Sequence, residues 1–121
     1  SAFMALAVAF GAFGAHIVQD MLTPERFDVY QTGVEYHFYH ALGLLIAGAV
    51  SMHFNINKWI ARSAGLFIAG ILIFSGSLYI LTLTDTGWLG AITPIGGVII
   101  TMGWIFFAVG VATSRVKSLD D

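Results

Sequence analysis

Four apolar stretches, each near the roughly 20 residues an α-helix needs to cross a bilayer, take up most of this 121-residue chain. They run from about Ala2 to Val18, Gly33 to Met52, Trp59 to Leu83 and Pro94 to Thr113. A chain this short, 58% hydrophobic and 10% charged, cannot hide so much apolar surface inside a water-soluble globule. Its solvent must be lipid. In hydrocarbon every backbone polar group has to be satisfied internally, so the stretches read as helices, and their short connections make neighbours antiparallel. The predicted fold is all-α: one integral membrane domain over residues 1–121, a four-helix bundle with short loops. Small residues near Ala12 and Ala15 give the first stretch the look of a signal peptide. Its start, SAFMALAV, has no basic residue and its Gly/Ala spacing suits helix packing, so it is read as a true span. The chain opens on Ser1 rather than Met, and the expectation is that a few cytoplasmic residues are missing.

Composition removes several functions. With no cysteine there is no disulfide, no thiolate metal site and no Cys nucleophile, and a net charge of −2 offers no basic patch for nucleic acid. The remaining partners are the lipid bilayer and other membrane proteins, as a homo-oligomer or in a larger complex.

Between the first two spans, DMLTPERFDVYQTG carries helix-start chemistry. Thr23 can cap free N–H groups, Pro24 fits the first turn, and Glu25 and Asp28 suit the positive end of a helix dipole. Phe27, Tyr30 and Val34 recur at spacings of three and four. This predicts an amphipathic interfacial helix leading into the second span, with Gly33 as the place for a bend. Asn57 is expected to cap the third span with Trp59 at the interface, and Thr93-Pro94 to open the fourth in the same cap-then-proline order. Trp88 marks the opposite interface.

Orientation follows from five basic residues. Lys58 and Arg62 flank the 2–3 connection, Arg115 and Lys117 follow the fourth span, and Arg26 alone lies in the 1–2 connection. The positive-inside rule then places both termini in the cytoplasm and the first and third connections outside.

Lipid tails are as apolar as leucine, so such helices associate through close backbone contact, which needs small residues. Ala7, Gly11 and Ala15 are four apart on the first span, Gly43 and Ala47 on the second, Gly65 and Ala69 on the third. Gly96, Gly103 and Gly110 follow at intervals of seven on the fourth, which nearly restores one face at each repeat.

One stretch, EYHFYHALG from Glu35 to Gly43, crowds a carboxylate, two tyrosines and two histidines at the start of an apolar span. Polar groups at membrane depth are expensive and face the protein interior or a watery cavity. His16, near the outer end of the first span, and His40, a short way into the second, are expected at comparable depth and able to meet. The candidate polar pocket is His16, Glu35, Tyr36, His37, Tyr39 and His40. Three uses are open, in this order: hydrogen bonds that lock the first two spans together, a proton or substrate path, and a metal site from His16, His37 and His40 with Asp20 or Glu35. No cofactor is predicted. His40 and His53, thirteen residues apart, have the spacing of stacked haems, but His16 alone could complete a bis-histidine pair, so ligand count argues against haem. No Ser-His-Asp order, phosphate loop or carboxylate dyad stands out, and Ser75, Ser77 and Thr101 can be satisfied by their own helices.

The words GAFGAH (Gly11 to His16), YHFYHALGLL (Tyr36 to Leu45), FSGSLYIL (Phe74 to Leu81) and ITPIGG (Ile92 to Gly97), followed by Gly103-Trp104, form an ordered set. In that order the chain resembles the small bacterial inner-membrane proteins of the YgdD/YwdK type, a domain-of-unknown-function family with vertebrate transmembrane relatives. The resemblance covers essentially the whole chain. It implies a multi-span protein of the cytoplasmic membrane, with no established activity, cofactor or partner. It also implies that His16, Tyr36, His40, Tyr79, Pro94, Gly96 and Gly97 occupy family positions, while His37 falls where the family is more permissive. The leading functional reading is a non-enzymatic structural or accessory component of a membrane complex. A small transporter or ligand-binding protein using the pocket between the first two spans comes second, and a membrane enzyme using the histidines and Glu35 for acid–base work third.

Overall fold

The computed structural model describes residues 1–55 and 57–116, which form four long helices. They are α1 (Ala2–Met21), α2 (Pro24–His53), α3 (Lys58–Thr84) and, after a 3₁₀ turn over Gly87–Ala91, α4 (Thr93–Thr113). Among the described residues the one extended pairing is a single bridge between Phe54 and Val116. Lys117 lies outside the described residues. By length and composition α1, α3 and the stretch Gly87–Thr113 can each cross a membrane. At about 1.5 Å per residue, the 30-residue α2 is longer than a bilayer core, but its tyrosines and histidines dilute its apolar character.

The starts of these helices are set by local chemistry. Thr23 accepts from the Arg26 N–H at 3.4 Å and Pro24 sits in the first turn of α2. The expected interfacial helix is not a separate element, because α2 continues through Gly33 without interruption. Gly33 is buried there, and a Cβ on it would lie 3.0 Å from the Tyr79 ring. This glycine is used for a close approach, not for a bend.

Asn57 caps α3, its Oδ1 accepting from the N–H groups of Trp59 and Ile60 at 3.0 and 3.1 Å. The same side chain donates to the Gly110 carbonyl at 2.8 Å, tying the start of α3 to the end of α4. Thr93 departs from the expected cap. The 3₁₀ turn runs directly into α4, leaving Ile92 already helical, so the Thr93 hydroxyl donates to the Leu89 carbonyl and meets Ser77 Oγ at 2.8 Å.

The closest packing is between α3 and α4. Gly96, Gly103 and Gly110 lie against Phe74, Phe67 and Ile60, so both helices step by seven in opposite directions, as antiparallel neighbours must. An added Cβ at Gly96 would sit 2.6 Å from the Phe74 backbone nitrogen, and at Gly110 2.6 Å from Ile60 Cγ1. Gly70 returns the contact by receiving Ile100. Across the bundle α2 meets α3 through Gly33 and Gly43, with Ala41 and Ala47 buried, and α1 meets α2 through Gly11 and Gly14, with Ala7 buried. Ala15 is exposed, Ala69 is half-buried, and a Cβ on Gly65 would meet nothing within 4 Å.

Two features interrupt the regular helices. In α1 the segment Gly14–Val18 and in α3 the segment Ile71–Ser75 are π turns, with Gln19 and Gly76 N–H groups each reaching back five residues to a carbonyl. At the end of α3, Asp85 closes the helix in the left-handed conformation (φ 58°), which an aspartate tolerates better than most residues. Arg26 from α2 donates to the Leu81 and Thr82 carbonyls at 2.9 and 3.1 Å and pairs with Asp85 at 2.9 Å. A cation there satisfies carbonyls that a helix end leaves free and suits the negative end of its dipole.

The contrast between two glycines tests this packing. Gly96→Ala, which drives a methyl into backbone, is expected to cost about 1–3 kcal/mol, read as a lower midpoint of unfolding in detergent. Gly65→Ala fills open space in mid-helix and should leave the midpoint unchanged or raise it.

Candidate functional site

The polar cluster is divided by the faces of α2. Counting from Tyr30 by threes and fours, Tyr30, Gly33, His37, His40, Gly43 and Ala47 form the buried stripe, while Glu35, Tyr36 and Tyr39 are exposed. His37 and His40 are each only 3% exposed.

His37 Nδ1 lies 3.1 Å from the Tyr79 hydroxyl of α3. Its Nε2 is buried with no hydrogen-bond partner. Around it stand the rings of Phe3 and Phe10, each 6.3 Å away between centroids. Phe10 in turn stacks on Tyr79 at 4.5 Å. His40 behaves differently. Its Nδ1 bonds the Tyr36 carbonyl one turn back at 2.5 Å, and its ring packs against Phe67 and Trp104. An own-helix carbonyl satisfies that nitrogen without involving another span.

His16 does not join them. Gly14 is level with Tyr30 and Gly11 with Val34, while Phe3 and Phe10 are the α1 residues beside His37. This hairpin register leaves exposed His16 about twelve residues along α2 from His40, or roughly 18 Å at 1.5 Å per residue. The register is fixed by Tyr30, fully buried, whose hydroxyl donates to the Phe10 carbonyl at 2.7 Å. Among the described residues no three His, Asp or Glu side chains are grouped to hold a metal ion.

The exposed members line concave surfaces. Glu35, with Gln31 and Tyr30, borders a groove of about 160 Å³ opposite Gly11, Gly14 and Ala15. Tyr36 stacks on Phe74 at 4.4 Å and touches a shallow depression toward Pro94 and Gly97. Tyr39 lies 6.1 Å from Tyr36 and is 52% exposed. A further pocket of about 200 Å³ is walled by Phe3, Leu6 and Phe10 of α1, His37, and Ile71, Leu72, Gly76 and Tyr79 of α3. The His37–Tyr79 pairing was not anticipated from the sequence, although the stripe begun by Tyr30 and Gly33 leads to His37 by the same step that reaches His40.

Long apolar helices, joined by short connections and packed through glycine, with leucine, isoleucine and valine left on the outside, define a small helical integral membrane protein. The chain belongs to the family described as "Protein of unknown function (DUF423)", whose model matches residues 10–97. It is 44% identical over 104 residues to the UPF0382 membrane protein YwdK of Bacillus subtilis, covering 86% of this chain and 85% of that one. A UPF0382 membrane protein of Staphylococcus epidermidis is 44% identical over 105 residues, covering 86% of this chain and 84% of the relative. The UPF0382 inner membrane protein YgdD of Escherichia coli is 37% identical over 112 residues, covering 93% of this chain and 85% of the relative. No solved structure matches.

Removing one hydroxyl separates the buried tyrosine from the exposed one. Tyr79→Phe leaves His37 Nδ1 buried and unpaired and is expected to cost about 1–3 kcal/mol in a detergent unfolding titration. Tyr39→Phe should be indistinguishable from the parent.

Proposed function

We propose that the chain crosses the bacterial cytoplasmic membrane four times and serves as a non-enzymatic structural or accessory component of a larger membrane complex. The observation that carries this reading is where polar chemistry is used. Arg26, Tyr30, Asn57, Ser77 and Tyr79 each bond across to another helix, while α1 and α4 turn Leu6, Val8, Ile17, Val98 and Ile105 outward. Such a bundle uses these polar groups to join its own helices and leaves its apolar faces free for lipid or a neighbouring protein. Affinity purification from gently solubilised membranes should then return a stoichiometric companion or a homo-oligomer. A consistently solitary chain counts against this role.

Four crossings require α2 to span, with its first turns, Pro24 to about Thr32, in the outer interface. Asn55 N–H bonds the Arg115 carbonyl, which brings the α2–α3 connection and the segment after α4 to one end, together with Lys58 and Arg62. The positive-inside rule makes that end cytoplasmic. Because the chain has no cysteine, single cysteines at Glu25, Asn55, Gly87 and Ser114 report this arrangement cleanly. An impermeant maleimide applied from outside should label Glu25→Cys and Gly87→Cys and spare Asn55→Cys and Ser114→Cys. Labelling of Asn55→Cys from the same side as Glu25→Cys would remove α2 from the set of spans.

A second reading, a small transporter or ligand-binding membrane protein, is favoured by one specific observation. The pocket walled by α1, His37 and α3 has an unpartnered polar nitrogen in its lining residue.

A further inference from the structure

Two features of the bundle are left without a structural role, and they meet at one place. A buried imidazole nitrogen with no partner is a cost that helix packing does not require, since a phenylalanine would fill the same space. A π turn in mid-helix gives up regular hydrogen bonding, and such turns occur often at functional sites. The His37 imidazole and the first residues of the Ile71–Ser75 turn are walls of the same 200 Å³ pocket.

The chemistry of the pocket narrows what can enter. The Tyr79 hydroxyl needs an acceptor and has His37 Nδ1 at 3.1 Å. Donation to Nδ1 leaves the ring proton on Nε2, so the unpartnered atom is a donor and its complement is an acceptor oxygen. No lysine or arginine lines the pocket, so the acceptor is neutral and not a phosphate or carboxylate. Phe3, Phe10, His37 and Tyr79 present aromatic rings, and a cavity of about 150 Å³ already accommodates one benzene ring. Leu6 and Leu72, at 49% and 62% exposed, form its outer edge, so a ligand arrives from the lipid and can leave a tail there. Phe3, in the first turn of α1, stands edge-on to His37 and is a wall of the same pocket.

We infer that the pocket holds the head ring of a membrane-soluble quinone, with His37 Nε2–H donating to a ring carbonyl and the tail leaving between Leu6 and Leu72. This rests on the ligand-binding reading above and names its ligand class. The proposal concerns binding alone.

The test uses the full chain in lipid nanodiscs, labelled with ¹⁵N-histidine and titrated with a decyl-tailed benzoquinone. The expected result is saturable binding that moves the His37 Nε2 resonance. Binding should weaken about tenfold or more in His37→Phe, the loss of one hydrogen bond to a desolvated carbonyl. Leu72→Trp, which fills the mouth and leaves the His37–Tyr79 bond in place, should abolish it, and His16→Ala should bind as the parent does. Unchanged affinity in Leu72→Trp overturns the site even if His37→Phe fails to fold. Methyl decanoate, which offers a carbonyl without a ring, distinguishes the two levels of the proposal. Competition as effective as the quinone's own overturns the quinone assignment and leaves a lipophile pocket standing. No saturable binding of either compound overturns both, and weak competition by the ester supports the quinone.

Discussion

When two apolar helices meet in a bilayer no water is released, so dispersion contact between closely spaced backbones has to hold them, and side-chain bulk at the contact decides whether that spacing is reached. The seam between α3 and α4 is built on this constraint. Gly96, Gly103 and Gly110 admit Phe74, Phe67 and Ile60 at distances that a single methyl would violate. Because the two sets step by seven in opposite senses, shifting one helix by a single residue would set large side chains against each other along the whole seam. The register of α3 against α4 is therefore specified along the seam by volume. The position of α2 follows, since Gly43 rests on both Phe67 and Trp104, and so joins the same layer.

Polar groups supply what volume cannot, which is the pinning of helix ends and of one level in the interior. Asn57 clasps the start of α3 to the end of α4, and Arg26 closes the end of α3 from the start of α2. These bonds use carbonyls and N–H groups that helix termini leave free in any case, so they cost little regular structure. Tyr30 fixes α1 against α2 through the Phe10 carbonyl, and its ring and that of Tyr79 form a common core with Val18. Besides Ser75, whose hydroxyl is buried without a partner and not bonded to its own helix as expected, His37 is the exception to this economy. One of its nitrogens joins α2 to α3, and the other is buried with nothing to bind.

Much of the scaffold was readable from sequence because it rests on local rules. Thr23-Pro24 and Asn57 announce helix starts through their own side-chain chemistry, and the seven-residue glycine series announces a seam. Where the reading failed, the deciding feature lay outside the local motif. Thr93 has the residue type of a cap, but a preceding 3₁₀ turn, set by the Gly87–Ala91 connection, removes the non-helical position that a cap needs. Gly65 and Ala15 have the spacing of contact residues and point away from their neighbours, because the buried stripes run through Ile60, Ser63, Phe67 and Gly70 on α3 and through Gly14 and Val18 on α1. The separation of His16 from His40 depends on the Gly14–Tyr30 contact, which no periodicity within α1 reveals. Arg26 was legible as a charge near the membrane surface. Its two carbonyl partners lie more than fifty residues away and could only be found in three dimensions.

The claim on which all of this depends is the register of α3 against α4. Solid-state NMR on the chain in lipid, isotopically labelled at glycine and phenylalanine, measures it directly. The account predicts through-space cross-peaks joining Gly96 to Phe74 and Gly103 to Phe67, with none from Gly65 to any phenylalanine of α4. Absence of the Gly96–Phe74 and Gly103–Phe67 peaks, or their replacement by a set displaced along α3, would contradict it.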